Sequence, residues 1–164
     1  MRNALLSASA LAATLAAPAA QSQTAPTSAN AIEEIVVTAQ RREESVQEVP
    51  VSITAFGAQA IREMRVDDPA GLAQHVPNLS AASTLGGNAP IFALRGVSMN
   101  DYSPNQSSPV AVYTDEVYRG TPALMGPFLY DLDRVEVLRG PQGTLYGKNT
   151  TGGAINFITA RPGY

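Results

Sequence analysis

The last third of the chain most constrains its fold, because two strand-like runs there enclose a segment dense in glycine. Residues 134–138 and residues 154–159 both alternate in side-chain character with a period of two, as strands in a sheet do. The pattern predicts two strands joined by a compact loop, in which glycines supply positive φ or allow close backbone packing. The glycines of this loop are Gly140, Gly143, Gly147, Gly152 and Gly153.

A phosphate-binding loop is the first alternative for a glycine-rich loop that carries a lysine. Such a loop has a glycine, four further residues, and then Gly-Lys-Ser/Thr. Counting back from Gly147-Lys148, the first glycine position holds Gln142, and Asn149 follows the lysine. A strand-like run comes next, where a phosphate site needs the N-terminus of a helix. Spacing and context therefore argue against nucleotide binding.

Three motifs follow one another in this stretch. They read Val135-Glu136-Val137-Leu138-Arg139-Gly140-Pro141, then Tyr146-Gly147, then Gly152-Gly153-Ala154-Ile155-Asn156-Phe157-Ile158-Thr159. In this order they resemble the end of the plug domain of TonB-dependent outer-membrane receptors, and Leu94-Arg95-Gly96 resembles another element of that family. The resemblance covers about residues 32–162. It implies an α+β fold, with a small mixed β-sheet, short helices and long loops, that would fill the lumen of a β-barrel.

Composition excludes several other functions. The chain has 164 residues, a net charge of −3 and no cysteine, which suits one domain and excludes disulfides, Cys-based metal sites and thiol nucleophiles. Mild acidity argues against a nucleic-acid binder. His75 is the only histidine, so neither a catalytic triad nor a metal cluster has its usual base or ligand set. We expect no enzyme activity and no cofactor.

The N-terminus is predicted to be a secretory signal peptide, residues 1–20. Arg2 supplies a positive start, residues 4–17 are uncharged and rich in Ala and Leu, and Ala17-Pro18-Ala19 offers small residues for cleavage. A membrane helix is the alternative, but the run is short and a polar tract follows at once. We expect export, and a flexible leader over residues 21–31.

An extended apolar segment precedes the predicted domain. Its β-branched residues favour a strand, and it lies between the polar leader and a charged run at residues 41–44. Such a tethered segment suits strand addition to another protein's sheet edge; the alternative is the domain's own first edge strand. The resemblance identifies it as the TonB box, which recruits the energy transducer, with residues 32–45 as box and linker. The box residues are Ile32, Glu33, Glu34, Ile35, Val36, Val37, Thr38 and Ala39.

The domain itself is predicted over residues 46–164. We predict strands at 49–56 and 91–97, helices at 58–64 and 69–75, and a hairpin of residues 110–113 and 117–118. Loops are predicted at 78–90, 98–109 and 119–130. The family usually has Asp-Gly-Val in the hairpin turn, whereas this chain has Asp115-Glu116-Val117. Without glycine the geometry of a tight turn stays open.

Charged residues interrupt the apolar strands, and buried charges are costly unless they are paired. Arg95, Arg134, Glu136 and Arg139 either pair within the domain, face water, or face the wall of a surrounding barrel. The resemblance implies that plug arginines meet barrel carboxylates, which leaves Arg95 and Arg139 open between the barrel wall and the other arrangements and suits Arg134 less. The predicted barrel-facing and motif residues are Arg95, Gly96, Glu136, Arg139, Gly140, Pro141, Tyr146, Gly147, Gly152 and Gly153.

Three loops are candidates for an outward face that meets a ligand, namely residues 83–90, 98–109 and 119–130. Long loops of this kind often carry function. The candidate ligand-facing residues are Asn88, Asp101, Tyr102, Asn105, Gln106, Met125 and Phe128.

The resemblance implies the gating domain of an outer-membrane receptor that takes up a scarce nutrient, such as an iron–siderophore complex. Its partners would be a TonB-type energy transducer, the receptor's own barrel and the nutrient, and the domain would lie towards the periplasmic side of the lumen. A transporter barrel of about 22 strands, each of about ten residues, needs several hundred more residues. We therefore expect a fragment without its barrel; the alternative is a freestanding periplasmic binding or signalling module.

Overall fold

A five-stranded sheet forms the centre of the described structure. The computed structural model describes residues 34–84, 89–100, 103, 105–125 and 130–163. The predicted signal peptide and leader lie outside these residues. The described strands are β1 (Val36–Val37), β2 (Glu44–Ser45), β3 (Ile53–Gly57), β4 (Leu79–Thr84), β5 (Ala89–Leu94), β6 (Val110–Thr114), β7 (Val117–Arg119), β8 (Leu132–Arg139) and β9 (Gly153–Thr159). The helices are α1 (Ala58–Met64), a 3₁₀ helix (Gly71–Gln74), α2 (Pro122–Met125) and α3 (Gly143–Tyr146).

The central sheet is mixed, with strand order β3-β8-β9-β6-β7. Strand β8 runs antiparallel to both of its neighbours, whereas β6 and β9 are parallel. The two strands of the glycine-rich stretch therefore pair with each other in the middle of the sheet, with Val137 opposite Ile155. This arrangement confirms the predicted α+β class with a small mixed sheet and short helices.

One face of the sheet packs on the main core. Because strand side chains alternate, Val135, Val137, Ile155 and Phe157 all point to this side. They meet apolar residues of α1, the 3₁₀ helix, the β4–β5 hairpin and α2. Those partners are Ile61, Val66, Leu72, Val76, Leu79, Phe92, Leu94 and Met125.

The opposite face is covered by the chain that precedes β3. We call residues 34–51 the strap. Its buried residues Val37, Ala39 and Val49 pack on Leu138 and Ala154 of the sheet. Fully burying an aliphatic side chain stabilises the folded state by about 1.5–3 kcal/mol, so these three residues hold the strap on the sheet. The strap therefore forms a third layer, beside the sheet and the main core. Its own short strands, β1 and β2, pair with each other in a separate two-stranded sheet.

Several predicted elements are confirmed and others are corrected. Helix α1 has the predicted bounds, and β8 and β9 each begin at or before the predicted position. The strand predicted from Val49 begins only at Ile53, because the residues before it belong to the strap. The helix predicted over 69–75 is a 3₁₀ turn at 71–74. The Asp68 carboxylate accepts a 2.6 Å hydrogen bond from the N–H of Gly71, the first residue of this turn.

Two predicted loops contain regular structure. The loop predicted at 78–90 is wrong for most of its length, because residues 79–84 form β4 and pair with β5. Small side chains in β4 conceal the strand signal, and cross-strand pairing with apolar β5 supplies what local propensity lacks. The loop predicted at 119–130 contains the short helix α2.

The turn between β6 and β7 takes the tight form despite its lack of glycine. Asp115 and Glu116 have φ values of 46° and 66°, as a type I′ turn requires. The Asp115 carboxylate accepts hydrogen bonds of 2.9 Å from the Thr159 N–H and of 2.9 Å from its hydroxyl. These contacts tie the turn to the end of β9 and offset the left-handed conformation of Asp115. Glu116 is exposed and has no such contact with Thr159.

We predict that Glu116→Gly stabilises the domain by about 1 kcal/mol, because an L-residue in the left-handed region carries a cost that glycine avoids. Urea unfolding measures the change. Glu116→Ala is the control, since alanine carries the same left-handed cost and should give no comparable gain. An equal gain in both variants would contradict this explanation.

We predict that Gly153→Ala destabilises the domain by about 3 kcal/mol or more. Gly153 has a φ of 149°, and a Cβ there would overlap the Leu138 carbonyl oxygen and lie 2.5 Å from Leu94 Cδ2. Gly143→Ala is the matched control in the same loop. A Cβ at Gly143 meets nothing within 4 Å and lies in α3, so that variant should be neutral or slightly stabilising. Similar unfolding midpoints for the two variants would refute the steric account.

Candidate functional site

A buried carboxylate lies between the sheet and the strap. Glu136 is in the middle of β8, and its exposure is 0%. Alternation along β8 places it on the same face as Leu138, opposite to Val135 and Val137. A charge in such a position is destabilising unless hydrogen bonds and an opposite charge compensate it.

The strap supplies two of the donors that compensate Glu136. Its Oε1 atom accepts a 2.7 Å hydrogen bond from the Thr38 backbone N–H and a 3.2 Å bond from the Thr38 hydroxyl. Arg134 Nε donates to the same oxygen at 2.9 Å, and Asn156 Nδ2 approaches Oε2 at 3.5 Å. Hydrogen bonds to ionised groups are stronger than neutral ones. The prediction that Glu136 faces a barrel wall is therefore wrong, because the side chain points into the domain.

Arg134 completes the ion pair from the edge of the site. Its side chain is 18% exposed, and it also contacts Asp133 at 2.7 Å and the Thr38 hydroxyl at 3.2 Å. Burial of the guanidinium works to lower its pKa, but the hydrogen bonds and charges of Glu136 and Asp133 outweigh burial, so the pKa of Arg134 is raised. Of the arrangements that the sequence left open, pairing within the domain is the one found for Arg134.

Aromatic residues hold the next part of the strap. Tyr146, from α3, donates a 3.0 Å hydrogen bond to the Ala39 carbonyl and accepts one of 2.9 Å from Asn156 Nδ2. The Tyr113 hydroxyl donates to the Tyr146 carbonyl, and the two rings meet edge to face. The Arg41 guanidinium lies over the Tyr146 ring at 5.6 Å and donates to the Leu145 carbonyl. Strap residues 38–41 are thus held directly by β8 and α3, while Tyr113 and Asn156 hold Tyr146 in place.

The burial of these tyrosines changes their acidity. Burial raises the pKa of Tyr146 above its usual 10.0, helped by the negative charge of Glu136, against the lowering effects of the Asn156 hydrogen bond and of Arg41. Burial also raises the pKa of Tyr113, with a further contribution from Tyr118 and an opposing one from Arg41. Both phenols therefore favour the neutral form in the folded state.

The segment predicted as a TonB box contains β1, the first of the two short strands of the strap. Val37 and Ala39 are buried, whereas Val36 is 45% exposed. The described part of the segment pairs with β2 in a separate two-stranded sheet, so the alternative of a strand that belongs to the domain itself agrees with this docked position, although the strand is not part of the central sheet. The Val46 N–H donates to the Ile35 carbonyl, and with Val36 opposite Ser45 this register turns the backbone groups of Val36 towards the edge away from β2.

Of the charged residues predicted to interrupt the strands, Arg95 and Arg139 both contact the chain at the start of β3. Arg95 is exposed and donates a 3.0 Å hydrogen bond to the Ser52 hydroxyl, while the Arg139 backbone N–H donates to the Ser52 carbonyl. Arg139 also donates to the Ile53 carbonyl at 3.3 Å. No carboxylate of the described residues lies within ion-pair distance of either arginine. A Cβ at Gly140 would lie at an ordinary contact distance of 3.5 Å from the Arg95 guanidinium, so the φ of 103° and not crowding favours glycine at this position.

The other motif residues divide between surface and core. Pro141, Gly147 and Gly96 are exposed, while Gly152 and Gly153 are buried. A Cβ at Gly152 would lie 3.1 Å from the side chains of Val97 and Val110. The predicted role of the glycines in close packing therefore applies to Gly152, directly before β9, and to Gly153, its first residue.

The ligand-facing candidates are only partly supported by their positions. Asn105 and Gln106 are exposed. Met125 is wrong as an outward residue, because its side chain is 3% exposed and belongs to the main core; the amphipathic turn of α2 buries it. Asn88, Asp101, Tyr102 and Phe128 lie outside the described residues, as do Ile32 and Glu33 of the predicted box.

Sequence reasoning missed the network that fixes the strap. Tyr113, Asn156 and Thr38 bring their polar atoms to Glu136 and Tyr146 across the sheet face. The alternation of β8 and β9 already places Glu136 and Asn156 on one face, and that signal was available. Within the described ranges, no three His, Asp or Glu side chains gather as metal ligands. No helix among the same residues is long and apolar enough to cross a membrane.

The fold and this site define a plug-type domain, a mixed sheet whose N-terminal segment is docked across one face. Residues 45–154 match the family model of the TonB-dependent receptor plug domain. The chain belongs to this family, which is one of receptors rather than enzymes.

Individual relatives agree with this assignment. The chain is 35% identical over 134 residues to the pesticin receptor of Yersinia pestis, covering 78% of this chain and 19% of that protein. It is 28% identical to the ferrichrome outer membrane transporter and phage receptor of Escherichia coli, covering 90% of this chain and 19% of that one. The structure of the ferric yersiniabactin uptake receptor of Yersinia pestis matches with a TM-score of 0.61 and 34% identity, covering 68% of this chain and 17% of that one. The chain spans about a fifth of the length of these curated relatives.

We predict that the free energy of unfolding falls as pH rises above about 10. The tyrosines ionise in the unfolded chain before they ionise in the folded one, so their contribution is fully present below the unfolded pKa and is lost as pH rises through the raised folded values. Urea unfolding at several pH values measures the slope. The double variant Tyr113→Phe/Tyr146→Phe should show a shallower decline, and an unchanged slope in that variant would exclude these residues as the cause.

Proposed function

We propose that this chain is the plug domain of a TonB-dependent outer-membrane receptor that takes up a scarce nutrient with energy from the inner membrane. The observation that carries this proposal is the family match over residues 45–154, and the apolar strand at Val36–Val37 lies before it in the chain. Two of the relatives are named as outer membrane proteins, one as an iron-regulated virulence protein and the other as a ferrichrome transporter and phage receptor. In this role the domain closes the barrel lumen, and the predicted signal peptide exports the chain.

Strand β1 of the strap would be the segment that couples the domain to the energy transducer. Val36 is partly exposed, and its backbone groups face away from β2. An incoming strand can therefore add to this edge, with main-chain hydrogen bonds giving affinity and alternate side chains giving selectivity. A TonB-type energy transducer is the partner that the family implies.

Arg95 and Arg139 would contact the barrel wall. Both lie at one end of the sheet beside Ser52, and among the described residues neither has a carboxylate partner. A barrel carboxylate at this end would complete two ion pairs of the kind that hold separate surfaces in register.

The nutrient is proposed to be an iron–siderophore complex. The relatives include a ferrichrome transporter and a ferric-pyoverdine receptor. Exposed amides at Asn105 and Gln106 offer hydrogen-bond donors and acceptors for a polar chelate. In this proposal the iron arrives already chelated, so the domain needs no ligand cluster of its own.

We predict that Val36→Pro abolishes binding of the chain to the purified C-terminal domain of a TonB-type protein in a pull-down. Proline removes the N–H at the open edge, which strand addition needs, but leaves the bonds between β1 and β2 in place. The unfolding midpoint should change little, because Val36 contributes little to the core. Val36→Ala is the control and should retain binding. Full binding by the proline variant, or an equal loss with alanine, would refute strand addition here.

A further inference from the structure

Thr38 is the residue at which the strap meets the sheet through directed bonds rather than through apolar contact alone. Its N–H and hydroxyl both reach Glu136 Oε1, and its hydroxyl also accepts from Arg134. We propose that Glu136 is a positioning residue that latches the strap, and that its buried carboxylate competes with a partner strand for the Thr38 N–H. This inference rests on the proposed function for the identity of that partner.

The competition follows from strand geometry. Successive residues of an extended chain present their backbone groups to alternate edges, so Val36 and Thr38 present theirs to the same one. The register with β2 makes this the edge away from β2. Glu136 Oε1 lies 2.7 Å from the Thr38 nitrogen, where the carbonyl oxygen of an added strand would have to lie. Docking on Glu136 and full strand pairing at Thr38 are therefore mutually exclusive.

A carboxylate suits a latch that must open. An apolar residue at position 136 would hold the strap only by burial, without direction. When the strap leaves, Glu136 loses the two Thr38 donors but keeps Arg134 and Asn156 and gains access to water. The exposed charge is then solvated instead of stranded, which limits the cost of the open state.

The latch lowers the apparent affinity of the strap for any strand-adding partner. A site that binds only when open has its affinity reduced by the fraction of molecules that are open. Weakening the latch therefore raises both strap exposure and partner binding. An agent that draws Glu136 or Arg134 away from Thr38 would have the same effect as a latch variant.

Two matched cysteine reporters test the latch without any partner. The chain contains no cysteine, so Val37→Cys and Val112→Cys each provide a single thiol. Both valines are buried, at 0% and 1% exposure, but Val37 belongs to the strap and packs against the sheet, whereas Val112 faces the main core. The rate of labelling by a maleimide reports opening at each place.

In the Glu136→Gln background, labelling at position 37 should rise at least about tenfold, because a charged hydrogen bond to the strap is lost. Labelling at position 112 should stay unchanged. A rise of equal size at both positions would show that Glu136 stabilises the whole domain and would overturn the latch. An unchanged rate at position 37 would overturn it as well.

Thr38→Val provides a second route from the strap side, in case Glu136→Gln does not fold. It keeps the side-chain shape and removes the hydroxyl bonds to Glu136 and Arg134, so it should accelerate labelling at position 37 and leave position 112 unchanged. If Thr38→Val does not accelerate labelling at position 37, the latch is contradicted.

The labelling measurements are made without a transducer protein, whereas the Val36→Pro pull-down is made without a cysteine reporter. If the labelling rates contradict the latch but the pull-down shows binding that Val36→Pro abolishes, the proposed function stands and the latch fails. If the labelling rates support the latch but the pull-down shows no such binding, the latch stands without its proposed partner.

Discussion

The hydrogen bond from the Thr38 backbone to the buried Glu136 carboxylate connects the two parts of this domain. On the sheet side, Glu136 is held in the centre of β8, with Arg134 and Asn156 as permanent partners. On the strap side, one N–H and one hydroxyl complete its hydrogen bonding. A buried charge is costly unless its hydrogen bonds are complete, so the docked strap stabilises the charged sheet face. Val37 and Ala39, the neighbours of Thr38 in sequence, add buried apolar contacts on either side of this hydrogen bond.

Alternation along the two central strands makes this arrangement possible. The same period that sends Val135, Val137, Ile155 and Phe157 to the main core sends Glu136 and Asn156 to the strap. One face is therefore closed by helices and a hairpin whose apolar residues form the main core with it. The other face is closed by a segment that depends on polar contacts, and polar contacts can be exchanged for water.

The parts of the fold that local signals carry were predictable. Helix α1, the β6–β7 hairpin and the β8–β9 pair all follow from periodicity, glycine placement and the family motifs. Strand β4 was not predictable, because its serine, alanine and threonine side chains give a weak strand signal until β5 pairs with them. The inward direction of Glu136 was missed for a different reason. The resemblance suggests a barrel-facing role beside the alternative of pairing within the domain, whereas the direction of the side chain depends on a strap residue that lies 98 residues away in sequence.

The proposed coupling role and the observed docking place opposite demands on the same few residues. As a layer of the domain, the strap must bury Val37 and Ala39 and satisfy Glu136; as a coupling segment, it must give up those contacts to a partner strand. Marginal attachment reconciles the two demands, because a docking free energy of a few kcal/mol keeps the segment closed yet lies within reach of the energy of strand addition. The sheet beneath it does not share this constraint. The main core lies on the opposite face, so departure of the strap would expose Leu138 and Ala154 but not that core.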